Sequence, residues 1–185
     1  GIIGTIAVAV SLCVTFYFFG TMAAKPEGIN ISLFEWIQIS TFTVDFGILL
    51  DQLSILWLQF VTGIGSLIHL YSISYMHDDE KVHTFFAYLN LFVFFMITLV
   101  IGSNLLVMFI GWEGVGLCSY LLIGFWYKNQ EFNDAAKKAF IMNRIGDLGL
   151  LIGIFILGMM FNTLDFSTLK TAIAGASDLN LYWLS

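Results

Sequence analysis

The chain has 185 residues, 59% of them hydrophobic and 11% charged, with a mean hydropathy of +0.90; a soluble domain needs roughly a quarter charged residues to solvate its surface. A single proline and 17% aromatic residues exclude a disordered segment, and a net charge of -6 excludes a broad basic surface for nucleic acid. What remains is an all-α polytopic transmembrane helix bundle.

A membrane-crossing helix needs about 20 mostly apolar residues. Taken in chain order, the sequence predicts spans near 1–19, 46–76, 85–101, 105–127 and 139–161. They are separated by Lys25-Pro26-Glu27-Gly28, His77-Asp78-Asp79-Glu80, Gly102-Ser103-Asn104 and Lys128-Asn129-Gln130-Glu131. Pro26 is an expected stop after the first span. Between Ile29 and Val44 apolar and polar residues alternate, which reads as a short hairpin or interfacial segment with Trp36 at headgroup level. The segment 20–45 is therefore expected as an outward loop or hairpin, and 162–185 as an interfacial segment carrying a surface-lying helix. All of 1–185 reads as one membrane domain. The sequence opens and closes abruptly, so a fragment of a longer protein is expected, and its first run lacks the basic start and small-residue cleavage site of a signal peptide.

Lysine and arginine are unevenly shared between the two ends of such a bundle. Lys81, Lys128, Lys137, Lys138 and Arg144 fall on one side, against Lys25 and Lys170 on the other. Excess basic residues in short loops mark the cytoplasmic face, so Gly1 is expected there.

Ionisable side chains inside a span are costly and mark ion or proton paths. Glu113 is the sharpest of them: about nine residues into the fourth span, it sits near mid-bilayer at roughly 1.5 Å per residue. Gly111, Gly114 and Gly116 surround it and let another backbone or a water file come close. A lone carboxylate at that depth needs a nearby cation or stays neutral. Asp147 lies within the fifth span, with Arg144 three positions earlier on the same face, where an ion pair is possible. Lys137 and Lys138 open that span and either snorkel to the interface or line a proton entrance. His69 lies in the second span beside Tyr71 and Ser72, and is either a hydrogen-bonded core residue or a relay. Asp51 suits the start of the same helix, and His77 and His83 flank a solvated acidic loop. Cys13 and Cys118 read as apolar packing residues. The sequence contains no Walker-type loop, no GxGxxG and no cysteine cluster for iron–sulfur, so neither nucleotide nor redox cofactor is expected in this chain. Proton or cation movement is the physical reading.

Three stretches carry a resemblance. The run from Gly111-Trp112-Glu113-Gly114-Val115-Gly116-Leu117-Cys118-Ser119-Tyr120 to Trp126 closely resembles a motif of the L-type (chain 5) antiporter-like subunit of proton-pumping NADH:quinone oxidoreductase, respiratory complex I. Asp51-Gln52-Leu53-Ser54, leading to His69-Leu70-Tyr71-Ser72, is similar to that subunit's third helix. Lys137-Lys138-Ala139-Phe140 through Asn143-Arg144-Ile145-Gly146-Asp147 is similar to its sixth. The resemblance implies that Glu113 is the family's glutamate on the fifth helix, paired with a lysine further along a longer chain. It also implies that Asp147 and Arg144 lie near the same half-channel; His69 and Lys138 join that path only through their relay and proton-entrance readings. FMN, iron–sulfur clusters and quinone would belong to other subunits of the complex; this chain's partners would be the other membrane subunits, the lipid bilayer and protons. A bacterial plasma membrane is expected rather than a mitochondrial inner one. Two alternatives stand beside this reading: a subunit of a multisubunit Na+/H+ antiporter, and a structural membrane scaffold.

Overall fold

The computed structural model describes residues 1–22, 28–39 and 42–175. The Lys25-Pro26-Glu27 break and the tail 176–185 lie outside them. The described elements are α1 (Ile2–Met22), β1 (Ile29–Ile39), β2 (Phe42–Leu50), α2 (Gln52–Tyr75), α3 (Val82–Ile101), α4 (Leu105–Ile123), α5 (Gln130–Phe161) and α6 (Phe166–Gly175). Five of the helices, α1 to α5, are long and apolar enough to cross a membrane. Helices suit that solvent because they satisfy their own backbone polar groups.

The largest departures from the hydropathy reading are at the starts of the second and fifth spans. Residues 46–50 belong to β2 rather than to the second span, because the helix starts only where Asp51 caps it. The Asp51 carboxylate accepts from the Ser54 backbone N–H at 2.7 Å, and Ser54 Oγ accepts from the Asp51 N–H at 2.8 Å. The segment 130–138 is helical rather than a loop. Asn129 caps α5 by accepting from Glu131 N–H at 3.0 Å, so the helix begins about two turns before its apolar part.

β1 and β2 form an antiparallel hairpin with irregular register near Ser32/Phe34 and Glu35/Ile37. β2 carries the packed face, through Val44 and Gly47, whereas β1 is mostly exposed. The hairpin is fastened to the α3–α4 turn. Ser103 N–H donates to Gly47 O at 3.1 Å, and Asn104 Nδ2 donates to Asp45 O at 2.6 Å. The same turn holds the far end of α5: Leu105 N–H donates to Leu164 O at 3.0 Å and Phe166 N–H to Ser103 O at 3.1 Å. Asn104 also caps α4 by accepting from Leu106 and Val107 N–H groups. Val44, Ile154 and Leu164 close a small apolar cluster beside it. At the opposite end, Lys81 Nζ donates to Tyr127 Oη at 2.7 Å and Trp126 Nε1 to Asp79 Oδ2 at 2.9 Å, tying the α2–α3 and α4–α5 connections together. The Lys81 backbone N–H and the Trp126 indole hold the Asp79 carboxyl below the usual carboxylate range.

Between these ends the helices pack as consecutive antiparallel neighbours. Thr15 and Thr62 hydroxyls meet at 3.3 Å between α1 and α2. α3 and α4 lie closest together, with Val107, Gly111, Gly114 and Cys118 buried along α4. A Cβ at Gly111 would run into the Leu99 backbone, and one at Gly114 into the Phe95 ring. Small residues on this stripe let the two backbones approach. A Gly111→Ala substitution meets backbone that cannot swing aside, so it should destabilise the α3–α4 pair by roughly 1–3 kcal/mol. Thermal unfolding of the purified full-length protein should report a lowered midpoint. Wild-type stability in that variant would mean that the contact relaxes freely.

Candidate functional site: an arginine between two carboxylates

The stripe of α4 that packs on α3 turns the neighbouring face toward α5. Six residues, 124–129, join α4 to α5, so the two helices run antiparallel with a regular ladder of contacts. A Cβ on Gly124 would lie 3.3 Å from Ala136 Cβ, the Tyr120 and Phe140 rings are 5.4 Å apart, and a Cβ on Gly116 would lie 3.6 Å from Asn143 Nδ2. The next rungs are Glu113 with Arg144, and Trp112 with Asp147.

Arg144 Nη1 contacts Glu113 Oε2 directly across the helix pair. The same nitrogen lies 3.8 Å from Asp147 Oδ2 on its own helix. The guanidinium carbon sits 4.6 Å from the centre of the Phe140 ring, which supports the cation from one face. Asp147 is buried at 5% exposure, and its other oxygen, Oδ1, accepts from Trp112 Nε1 at 2.8 Å. One cation thus serves two carboxylates, and every charge in the cluster has a partner, as burial demands. Arg144 is half exposed, so solvent screens its pairing with either acid to roughly 1 kcal/mol.

The sequence pairs Arg144 with Asp147 through their i, i+3 spacing. In the structure the direct contact is with Glu113, and Asp147 is the second neighbour. Trp112 was missed altogether. Its signal was its place beside Glu113, on an α4 that a short connector makes the antiparallel neighbour of α5.

His69 lies outside this cluster. It is fully buried on α2, 6.0 Å from the Phe86 ring of α3. Its Nδ1 is 2.8 Å from Gly65 O, which can only accept, so Nδ1 carries a proton. Nε2 has no hydrogen-bond partner among the described residues, and in the neutral ring it is a free acceptor. His69 lines the far end of an apolar groove of about 1010 Å³ that also reaches Trp112 and Leu150. Lys138 is exposed on the polar start of α5, six residues and about 9 Å of helix rise before Arg144, and Lys137 is 3.9 Å from Asp134. Asp51 acts as the α2 cap. Exposed His77 bonds Asp78 at 2.8 Å, and no three His, Cys, Asp or Glu residues converge on a metal-sized site among the described residues.

Fold and site together define an integral membrane helix bundle with an ion-paired carboxylate cluster set within its spans. Residues 36–86 match the family described as NADH-Ubiquinone oxidoreductase (complex I), chain 5 N-terminus. Residues 102–185 match NADH:quinone oxidoreductase/Mrp antiporter, TM. The chain belongs to this NADH:quinone oxidoreductase/Mrp antiporter family of membrane subunits. It is 47% identical over 151 residues to NADH-quinone oxidoreductase subunit L of Mycobacterium tuberculosis, covering 82% of this chain and 24% of the relative. It is 48% identical over 166 residues to subunit L of Campylobacter jejuni, covering 90% and 26%. It is 43% identical over 172 residues to NADH-ubiquinone oxidoreductase chain 5 of Marchantia polymorpha, covering 93% and 25%. The chain thus spans about a quarter of the length of the curated relatives it matches. Its fold is that of part of the Mrp complex from Dietzia, with a TM-score of 0.76 at 23% identity over 98% of this chain and 18% of that one. The archaeal membrane-bound sulfane sulfur reductase shares it at a TM-score of 0.72 and 15% identity, over 91% and 33%.

The cross-helix pair makes a stability prediction. Arg144→Met strands Glu113 and should cost stability that Glu113→Gln in the same chain restores. A double-mutant cycle on the melting of the full-length protein should give a coupling of roughly 1 kcal/mol, the lower part of the range because Arg144 is half exposed. Additive effects of the two substitutions would show that the pair contributes nothing.

Proposed function

We propose that this chain is part of a proton-translocating membrane subunit of an NADH:quinone oxidoreductase, moving protons through Glu113, Arg144 and Asp147. Redox chemistry, with its FMN, iron–sulfur clusters and quinone, belongs to other subunits in this proposal, and the other membrane subunits of the complex are the partners. The observation that carries the reading is Arg144 Nη1 set between Glu113 on α4 and Asp147 on α5, within spans where ionisable groups are costly.

Glu113 alternates between an ionised form paired with Arg144 and a neutral form that has taken up a proton. In the longer protein, the family resemblance adds a lysine outside this stretch as a second cation for Glu113. Lys138 and Lys137 stand at the cytoplasmic mouth of α5, and the Lys81–Tyr127 end of the bundle faces the cytoplasm with them; the hairpin and α6 face outward. His69, with one ring nitrogen free, is a relay branch on α2. The membrane is a bacterial plasma membrane, a choice supported by 45–48% identity to bacterial relatives against 43–44% to plant and algal ones.

The test uses the full complex in sealed vesicles driven by NADH, comparing wild type with Glu113→Gln. With assembly intact, the substitution should lower proton pumping by roughly tenfold or more, the scale of a lost acid–base group. An unchanged proton-to-electron ratio would return Glu113 to a packing role and favour a membrane scaffold. Activity that follows a Na+ gradient and ignores NADH would favour a cation/proton antiporter instead.

A further inference from the structure

Trp112 is the uncharged residue of the cluster that makes a hydrogen bond to one of its acids. It is about half exposed, at 49%, so its indole gains little from burial. Yet its Nε1 donates a well-formed bond of 2.8 Å to Asp147 Oδ1, from α4 to α5. An indole N–H can donate but never accept. It therefore bonds Asp147 in a way that leaves the proton inventory of the cluster untouched, unlike a hydroxyl or an imidazole.

The geometry divides the two oxygens of Asp147 between two tasks. Oδ1 is occupied by the indole. Oδ2 is left facing Arg144 Nη1 at 3.8 Å, too long for a hydrogen bond and short enough for the guanidinium to reach by a small rotation. That same nitrogen already touches Glu113 Oε2. When Glu113 gains a proton it loses its charge, and the pull of Asp147 on Arg144 is left unopposed. For the guanidinium to settle there, Asp147 must stay ionised and keep Oδ2 turned toward α4. A free carboxylate on χ2 rotates broadly; one bonded through Oδ1 to the neighbouring helix does not.

We propose that Trp112 is a positioning residue for proton transfer: its indole N–H locks Asp147 so that Oδ2 is the second seat for Arg144 when Glu113 is neutral. This rests on the proton-path reading of Glu113. It adds that the motif's tryptophan works through its N–H rather than through its ring.

The experiment replaces Trp112 in the full complex by 3-benzothienylalanine, whose sulfur takes the place of the indole N–H while the bicyclic shape is kept. The proton-to-electron ratio in sealed vesicles is measured for this variant, for Asp147→Asn, for the two combined, and for Glu113→Gln. The isostere should lower the ratio by a measurable part of the loss that Glu113→Gln shows, and should have no further effect once Asp147→Asn is present. A wild-type ratio in the isostere would overturn the proposal, as would a loss that multiplies fully with that of Asp147→Asn. Should Glu113→Gln itself leave the ratio unchanged, the proton-path reading fails and the positioning role fails with it. If Glu113→Gln abolishes pumping while the isostere is normal, the role of Trp112 alone is lost.

Discussion

The geometry of the site depends on how closely α4 can approach α3. Val107, Gly111, Gly114 and Cys118 recur at helical spacing, and two of the four have no side chain to hold the helices apart. In lipid there is no hydrophobic drive to push helices together, so close packing over small residues is what binds them. With that stripe committed to α3, the helix has no rotational freedom left. Trp112, Glu113 and Gly116 are then carried onto the α5 side. The glycines on either side of Glu113 are therefore less a gap for water than the contact that aims the carboxylate at Arg144.

A second fixed point sits at one end of the bundle. The turn Gly102-Ser103-Asn104 satisfies the hairpin, the start of α4 and the exit from α5 with a handful of polar groups. Unmatched backbone donors near the bilayer are expensive, and Asn104 meets that demand twice, as a cap and as a strap to Asp45. Because both ends of α4 and α5 are tied, at Asn104 and Leu164 on one side and by the paired connections near Trp126 on the other, the ladder between the two helices cannot slide. Arg144 reaches Glu113 because that ladder keeps its register.

Much of this was legible in the residues. Glu113, Arg144 and Asp147 stood out because charge in an apolar run needs a reason, and the spans followed from helix length. Phe46-Gly47-Ile48-Leu49-Leu50 misled, since a short apolar run looks alike as a buried strand and as the start of a span. Only the Asp51–Ser54 capping pair, visible in the sequence, marked where the helix starts. The charged run from Gln130 to Lys138 falls outside the predicted span 139–161 because charges end a membrane span without ending a helix. Arg144 was matched with Asp147 because intrahelical spacing can be counted along one chain. Its contact with Glu113 depends on the rotation and register of two helices, which no single segment encodes.

An arginine shared by two acids also answers a difficulty that buried ion pairs share. A tight, fully satisfied pair in a low dielectric is static: separating it leaves two stranded charges, and the cost blocks any cycle. A cation with a direct contact on one carboxylate and a second carboxylate 3.8 Å away never has to be stranded. In the proposed cycle, protonation of one acid shifts the arginine toward the other instead of releasing it. The arrangement demands that the two acids differ, or the cation would divide itself evenly and neither state would be defined. The indole bond to Asp147, absent from Glu113 among the described residues, supplies that difference. That N–H belongs to the residue next to Glu113, so in the proposed cycle the same short stretch of α4 provides both the proton acceptor and a group that distinguishes its rival.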